Sequence, residues 1–249
     1  MSTALKKISR GAWLLGPLAI CFSSVLLVIH ATARPINPAG VVLFASGVIA
    51  AYSLDHWMDY PARRSVLLPA IAGLATLAGL AAAVWLPGWK IALALALGVV
   101  SLAYRKWKKW PLAKTLLVGG AWTIASMAFP IDWNVHELLS IPFNIALFAT
   151  FASNALLCDL KDSVADTRAG VRSAVVLWGQ PATTALAAML ALIGALAALV
   201  AQRPGLACAG LALGVLAAFP RWVARPILGP ALVDCALVLP AIFILSGLT

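Results

Sequence analysis

Apolar stretches of roughly 20 residues, the length that carries a helix across ~30 Å of hydrocarbon, follow one another along the chain with only short polar connections between them. This repetition narrows the choice of fold sharply. A backbone surrounded by lipid must satisfy its own N–H and C=O groups, which leaves helices or a closed barrel. The ten-residue apolar/polar alternation of barrel strands is absent, so the expected fold is all-α, a multi-pass transmembrane helical bundle. Nine spans are expected, at 11–30, 38–54, 65–86, 89–104, 115–130, 141–158, 181–201, 205–219 and 226–248, with Gly119 and Gly120 breaking the fifth. With 63% hydrophobic and 10% charged residues, the chain departs far from an ordinary soluble domain. Residues 1–249 read as a single membrane-embedded domain.

Charge placement tests the span count independently, because cytoplasmic connections carry an excess of Lys and Arg. With the N-terminus inside, nine spans put only Arg34, Lys90 and Arg203, of 18 basic residues, on the opposite side. A missing or extra helix midway would scramble that partition. The expectation is therefore an integral membrane protein with a cytoplasmic N-terminus and its C-terminus on the other side. Lys6, Lys7 and Arg10 precede the first apolar run as in a signal peptide, but no small-residue cleavage site precedes the next span, so the run is read as a retained helix. Nine of the ten Trp residues lie near expected span ends, where amphipathic rings favour the headgroup region, and Trp122 is inside one. The four cysteines show no paired spacing and read as small buried residues. The net charge of +10 is spread over loops on one face of the lipid bilayer with no nucleic-acid-binding module, so topology and anionic lipid account for it.

The acids are distributed differently. Asp55, Asp59, Asp159, Asp162 and Asp166 are five of eight acidic residues, and they stand where the second and sixth apolar runs end. Both places fall on the cytoplasmic side of the expected topology. The spacings are i, i+4 in one cluster and i, i+3, i+7 in the other, so helices continuing through them put each set on one face. Two such faces are expected to meet across a cytoplasm-facing central cavity. Carboxylates drawn together raise one another's pKa, and a cation relieves the repulsion. Oxygen-only ligands favour Mg2+ or Mn2+ over Zn2+. Mg2+ commonly bridges carboxylates to phosphate, which makes a phosphate or diphosphate the partner to expect. Arg63, Arg64, Lys108, Lys161, Arg168 and Arg172 are the basic residues placed to meet the remaining phosphate oxygens. Asn154, one turn before Asp159, is a cavity candidate. Asp234, an acid inside the ninth span, is read as a protonated or hydrogen-bonded helix contact, with a role in the cavity as the alternative.

The stretch Asp159-Leu-Lys-Asp162-Ser-Val-Ala-Asp166-Thr-Arg168-Ala-Gly170-Val-Arg172-Ser173 resembles the second aspartate-rich motif of the UbiA superfamily of intramembrane prenyltransferases, DxxDxxxD followed by a basic residue, Gly and Thr or Ser. Tyr52-Ser-Leu-Asp55-His-Trp-Met-Asp59, with Arg63 and Arg64 after it, is similar to the first motif, NDxxDxxxD. Tyr104-Arg-Lys-Trp-Lys108 resembles the family's Tyr-xxx-Lys sequence after the fourth helix. The order of these segments and the nine-helix count agree with the family over essentially the whole chain. Ala51 and Tyr52 stand where the first motif has Asn and Asp, and Val175 where a Pro often follows the second.

The resemblance implies that Asp55, Asp59, Asp159, Asp162 and Asp166 coordinate Mg2+ on an allylic prenyl diphosphate, with Arg63, Lys108, Lys161, Arg168 and Arg172 as diphosphate contacts. Tyr52, Asn154 and Tyr104 are then cavity candidates. Metal and basic groups would stabilise the departing diphosphate, and a lipophilic, aromatic acceptor would capture the allylic cation. Two alternatives share the fold: a terpene cyclase acting on the prenyl diphosphate alone, and a non-catalytic membrane carrier or assembly protein, the latter motivated by Ala51 and Tyr52.

Overall fold

A computed structural model describes residues 15–32, 35–59, 66–107, 109–132, 140–225 and 228–245. Among these the regular structure is helical throughout. Ten helices follow in order: α1 (Leu15–Thr32), α2 (Pro38–Asp59), α3 (Leu67–Ala83), α4 (Gly88–Trp107), α5 (Ala113–Ala128), α6 (Ile141–Ala169), α7 (Ala174–Val200), α8 (Pro204–Ala217), α9 (Pro220–Val223) and α10 (Leu228–Leu245). Leaving out the single turn of α9, they answer one for one to the nine spans expected from hydropathy. Windows in α2, α6 and α7 are long and apolar enough to cross a membrane, and α1, α3, α4, α8 and α10 carry shorter apolar segments.

Three departures from the expected spans have local causes. First, α6 runs to Ala169, well past the first charge at Asp159, because a polar stretch at good helical spacing needs no new fold. It stops at Gly170, whose φ of 67° is left-handed and favours a residue without a side chain. The Val171 N–H donates to the Asp166 carbonyl at 2.9 Å, closing the end of the helix. Second, α7 begins at Ala174 and bends at Gly179 (φ 78°, ψ 172°), two residues before Pro181. Third, α5 passes through Gly119 and Gly120 without a break. Gly119 serves close approach instead: a Cβ there would lie 3.2 Å from the Ala152 Cβ of α6, the small-residue contact by which apolar helices pack.

The contacts divide the chain into two compact units, one comprising Met1–Ser101 and Ala125–Asp132, the other Leu102–Ile124 and Trp133–Thr249. In the first, α2 packs along α3 and against α1, with Gly79 of α3 set against Ser46 and Leu43 of α2. Lys90, third residue of α4, is the surprise of this unit, since its side chain is 0% exposed. Its ammonium donates to the carbonyls of Ile131 (2.8 Å) and Phe129 (3.3 Å) and to Asp132 Oδ1 (2.8 Å). The Asn37 amide donates to both Asp132 oxygens at 3.1 Å, and its carbonyl accepts the Gly40 N–H at 3.0 Å, closing the first turn of α2. A Cβ on Gly40 would run into the Phe129 carbonyl. One buried cation thus satisfies the open end of α5 and, through Asp132 and Asn37, the start of α2.

In the second unit α6 is the hub, packing most extensively on α7 and also touching α8, α9 and α10. Its buried residues mix small side chains, Ala146, Ala149, Ala152, Ser153 and Ala155, with large apolar ones such as Leu147, Phe151 and Leu156. The Ser153 hydroxyl donates to the Ala187 carbonyl of α7 at 2.9 Å. A Cβ on Gly194 would fall 2.8 Å from the Thr150 hydroxyl, and one on Gly210 2.8 Å from the Ala191 carbonyl, so α6, α7 and α8 approach at backbone range. Trp122 is buried against Phe151, ring centroids 5.9 Å apart. Trp85, Trp89, Trp110, Trp178 and Trp222 are exposed, as rings at helix ends are expected to be. All four cysteines are free thiols.

Candidate functional site

The second acidic cluster lies wholly on α6, within one unbroken helix. At 100° per residue, Asp159 and Asp166 are roughly 20° apart around the axis and Asp162 about 60° from Asp159, so all three share one face. Their surroundings differ. Asp159 is 2% exposed; its Oδ1 lies 2.6 Å from the Lys114 ammonium of α5, and its Oδ2 is buried with no hydrogen-bond partner. Asp166, also buried, meets the same ammonium at 3.4 Å. Asp162 is half-buried and accepts from Lys161 at 2.6 Å. One lysine therefore stands between two of the expected ligands and a second covers the third. Among the described residues no three His, Cys, Asp or Glu side chains close into a metal-holding group.

Lys114 is the residue of this cluster that sequence reasoning missed, having entered it only as one of the basic residues on the cytoplasmic side. Arg168, in the last turn of α6, and Arg172, just beyond it, are exposed. Ser173 precedes α7 with its hydroxyl buried and unpartnered. Deeper on α6, Asn154 is buried and donates to Asp234 Oδ1 of α10 at 3.5 Å. Asp234 is thus in hydrogen-bond range of the cavity candidate Asn154.

The first cluster falls in the first unit. Helix α2 continues through Asp55 to Asp59, as the i, i+4 spacing requires. Asp55 and Tyr52 are half-buried, as is Tyr104 near the end of α4. The Asp59 side chain, and Arg63, Arg64 and Lys108 altogether, lie outside the described residues.

No family model matches the chain, and no curated protein matches it by sequence. Solved structures do match it in fold. An apo UbiA homologue from Aeropyrum pernix K1 superposes with a TM-score of 0.68 at 14% identity, over 95% of this chain and 98% of that one. The chain has the UbiA-homologue fold. A UbiA homologue from Archaeoglobus fulgidus bound to DMAPP and Mg2+ gives a TM-score of 0.63 at 15% identity, over 95% and 96% of the two chains. The same organism's UbiA homologue bound to Cd2+ gives 0.62 at 16%, over 94% and 98%. Coverage near completeness in both directions means that the likeness extends over nearly the whole fold.

Proposed function

We propose that the chain is a Mg2+-dependent prenyltransferase that moves a prenyl group from an allylic prenyl diphosphate to a lipophilic, aromatic acceptor. The observation that carries this reading is the Asp159 carboxylate: nearly fully buried in an apolar bundle, with one oxygen on Lys114 and the other on nothing. An anionic group in hydrocarbon is retained where it has work to do, and an unpartnered buried oxygen fits a site made for a cation. The fold likeness adds support, since one of the homologues sharing it is bound to DMAPP and Mg2+.

Asp159, Asp162 and Asp166 would hold Mg2+ or Mn2+, being oxygen donors of the hard kind. Asp55 and Asp59 are assigned the same role on their sequence motif. Bound Mg2+ supplies Lewis-acid stabilisation of the negative charge that grows on the diphosphate. Lys161, Arg168 and Arg172, with Arg63 and Lys108 from the sequence motifs, offer charge-assisted hydrogen bonds to the diphosphate oxygens. The prenyl C–O bond breaks with its electron pair leaving on the diphosphate; the acceptor supplies the pair for the new bond and then releases a proton. Apolar helices sheathe the prenyl tail and keep water from quenching the cation. Tyr52, Tyr104 and Asn154 are the polar residues offered for the cavity wall. The protein would be an integral membrane protein with its N-terminus and site on the cytoplasmic face and its C-terminus opposite.

The test is to incubate purified protein with DMAPP or a longer allylic diphosphate and Mg2+, with and without a lipophilic phenol, and to analyse products by mass spectrometry. The expected outcome is a prenylated acceptor formed only when the acceptor is present. Hydrocarbon or terpene alcohol formed without it would replace the transferase by a cyclase. Absence of diphosphate release under every condition would leave a carrier or assembly role.

A further inference from the structure

We propose that Lys114 is a resident counter-ion of the Asp159 and Asp166 carboxylates that a divalent cation must displace, so that this lysine sets the metal affinity of the site. The inference rests on the metal-diphosphate reading above and deepens it. The Lys114 ammonium reaches both carboxylates, at 2.6 Å and 3.4 Å, and Asp159 is too deeply buried to stand ionised without a charge beside it. A single ammonium is nevertheless an incomplete match. It brings one positive charge to two carboxylates, and Asp159 Oδ2 still has no partner. A divalent ion supplies the missing charge and a ligand position for that oxygen.

The residue type suits exchange. A lysine carries a compact charge on a four-carbon stem with rotatable donors, unlike the fixed fork of arginine, and the Lys114 side chain keeps 19% of its surface exposed. It lies at the start of α5, in the second residue of the helix, so the stem can swing without disturbing the packed turns around Gly119. Lys161 stands against Asp162 in the same manner at 2.6 Å. In the absence of substrate these two lysines partly neutralise the three carboxylates, and metal alone, which must displace them, binds weakly. The ammonium released when metal arrives carries the charge that attracts a diphosphate.

The test measures binding of Mn2+ alone by electron paramagnetic resonance to purified full-length wild type, Lys114→Met and Lys114→Arg. Removal of a competing charged hydrogen-bond partner is expected to tighten Mn2+ binding in Lys114→Met by about tenfold or more. Lys114→Arg, which keeps the charge, is expected to bind as weakly as wild type. Unchanged affinity in Lys114→Met, or equal tightening in both variants, would overturn the proposal. Should Lys114→Met fail to fold, the wild type alone decides. Acetylation of Lys114, read by peptide mass spectrometry, is expected to rise several-fold with saturating Mg2+, and no rise would defeat the proposal. Diphosphate release from DMAPP is read separately. Release with unchanged Mn2+ affinity defeats the counter-ion role alone, whereas no release and no Mn2+ binding in any variant defeats the function as well.

Discussion

Asp159 and Asp162 are three residues apart, yet their environments are unlike: the first is nearly fully buried with one oxygen unpartnered, while the second is half-buried and paired with its neighbour Lys161. If the acidic face binds metal, the buried member contributes most, because its charge is least screened by water. Asp159→Asn keeps the shape and removes the charge. Diphosphate release from an allylic diphosphate, measured as phosphate after coupled hydrolysis, is expected to fall by about 10²–10³-fold, the range seen when one preorganised electrostatic group is lost. An unchanged rate would remove Asp159 from the site. The three aspartates were legible in the sequence because helical spacing is arithmetic on neighbouring residues. Lys114 was not, because its contact with Asp159 joins α5 to α6 across a stretch of chain whose path no local pattern encodes.

At the scale of helices, the cluster of Lys90, Asp132 and Asn37 ties the start of α4 to the open end of α5 and the first turn of α2. Lys90→Met keeps the length and apolar stem but leaves the Ile131 carbonyl without its charged donor. Loss of charge-assisted hydrogen bonds of this kind costs about 1.5–3 kcal/mol, and a lower midpoint of unfolding in a denaturing detergent titration measures it. The hydrogen bond from Lys90, joined by that from Asn37 and by the lysine's charge, holds the Asp132 carboxyl below the usual carboxylate range. A lowered folded-state pKa stabilises above the unfolded value, near 3.9, and that stabilisation is lost as pH falls through the folded value. Asp132→Asn is therefore expected to flatten the acid limb of the stability curve below about pH 4; since Asp132 is 69% exposed, the effect is small. Charge counting placed Lys90 on the outer face but said nothing of its burial, because it sees which side of the membrane a charge occupies and not what it touches. Apolar spans and helices end at different places for a related reason. Hydropathy stops at the first charge, whereas α6 carries its carboxylates on a continuing helix, and Gly119 reads as a breaker until the Ala152 surface facing it is known.

At the scale of the whole chain, the repetition of apolar runs and the order of the aspartate motifs were enough to give the helix count and the UbiA-like expectation. The superposition on UbiA homologues at 14–16% identity shows how little sequence identity that fold requires. Acceptor choice was not legible, because in helices apolar all round no periodicity marks the residues that line a substrate path. The claim on which the account stands is that the acidic face works through a divalent cation to release diphosphate. The direct measurement is release of inorganic diphosphate from DMAPP by the purified protein as Mg2+ is added, removed with a chelator and restored. The account predicts release that appears with Mg2+, stops on chelation, returns on readdition and is lost in Asp159→Ala. Release that persists through chelation, or none at any Mg2+ concentration, would contradict it.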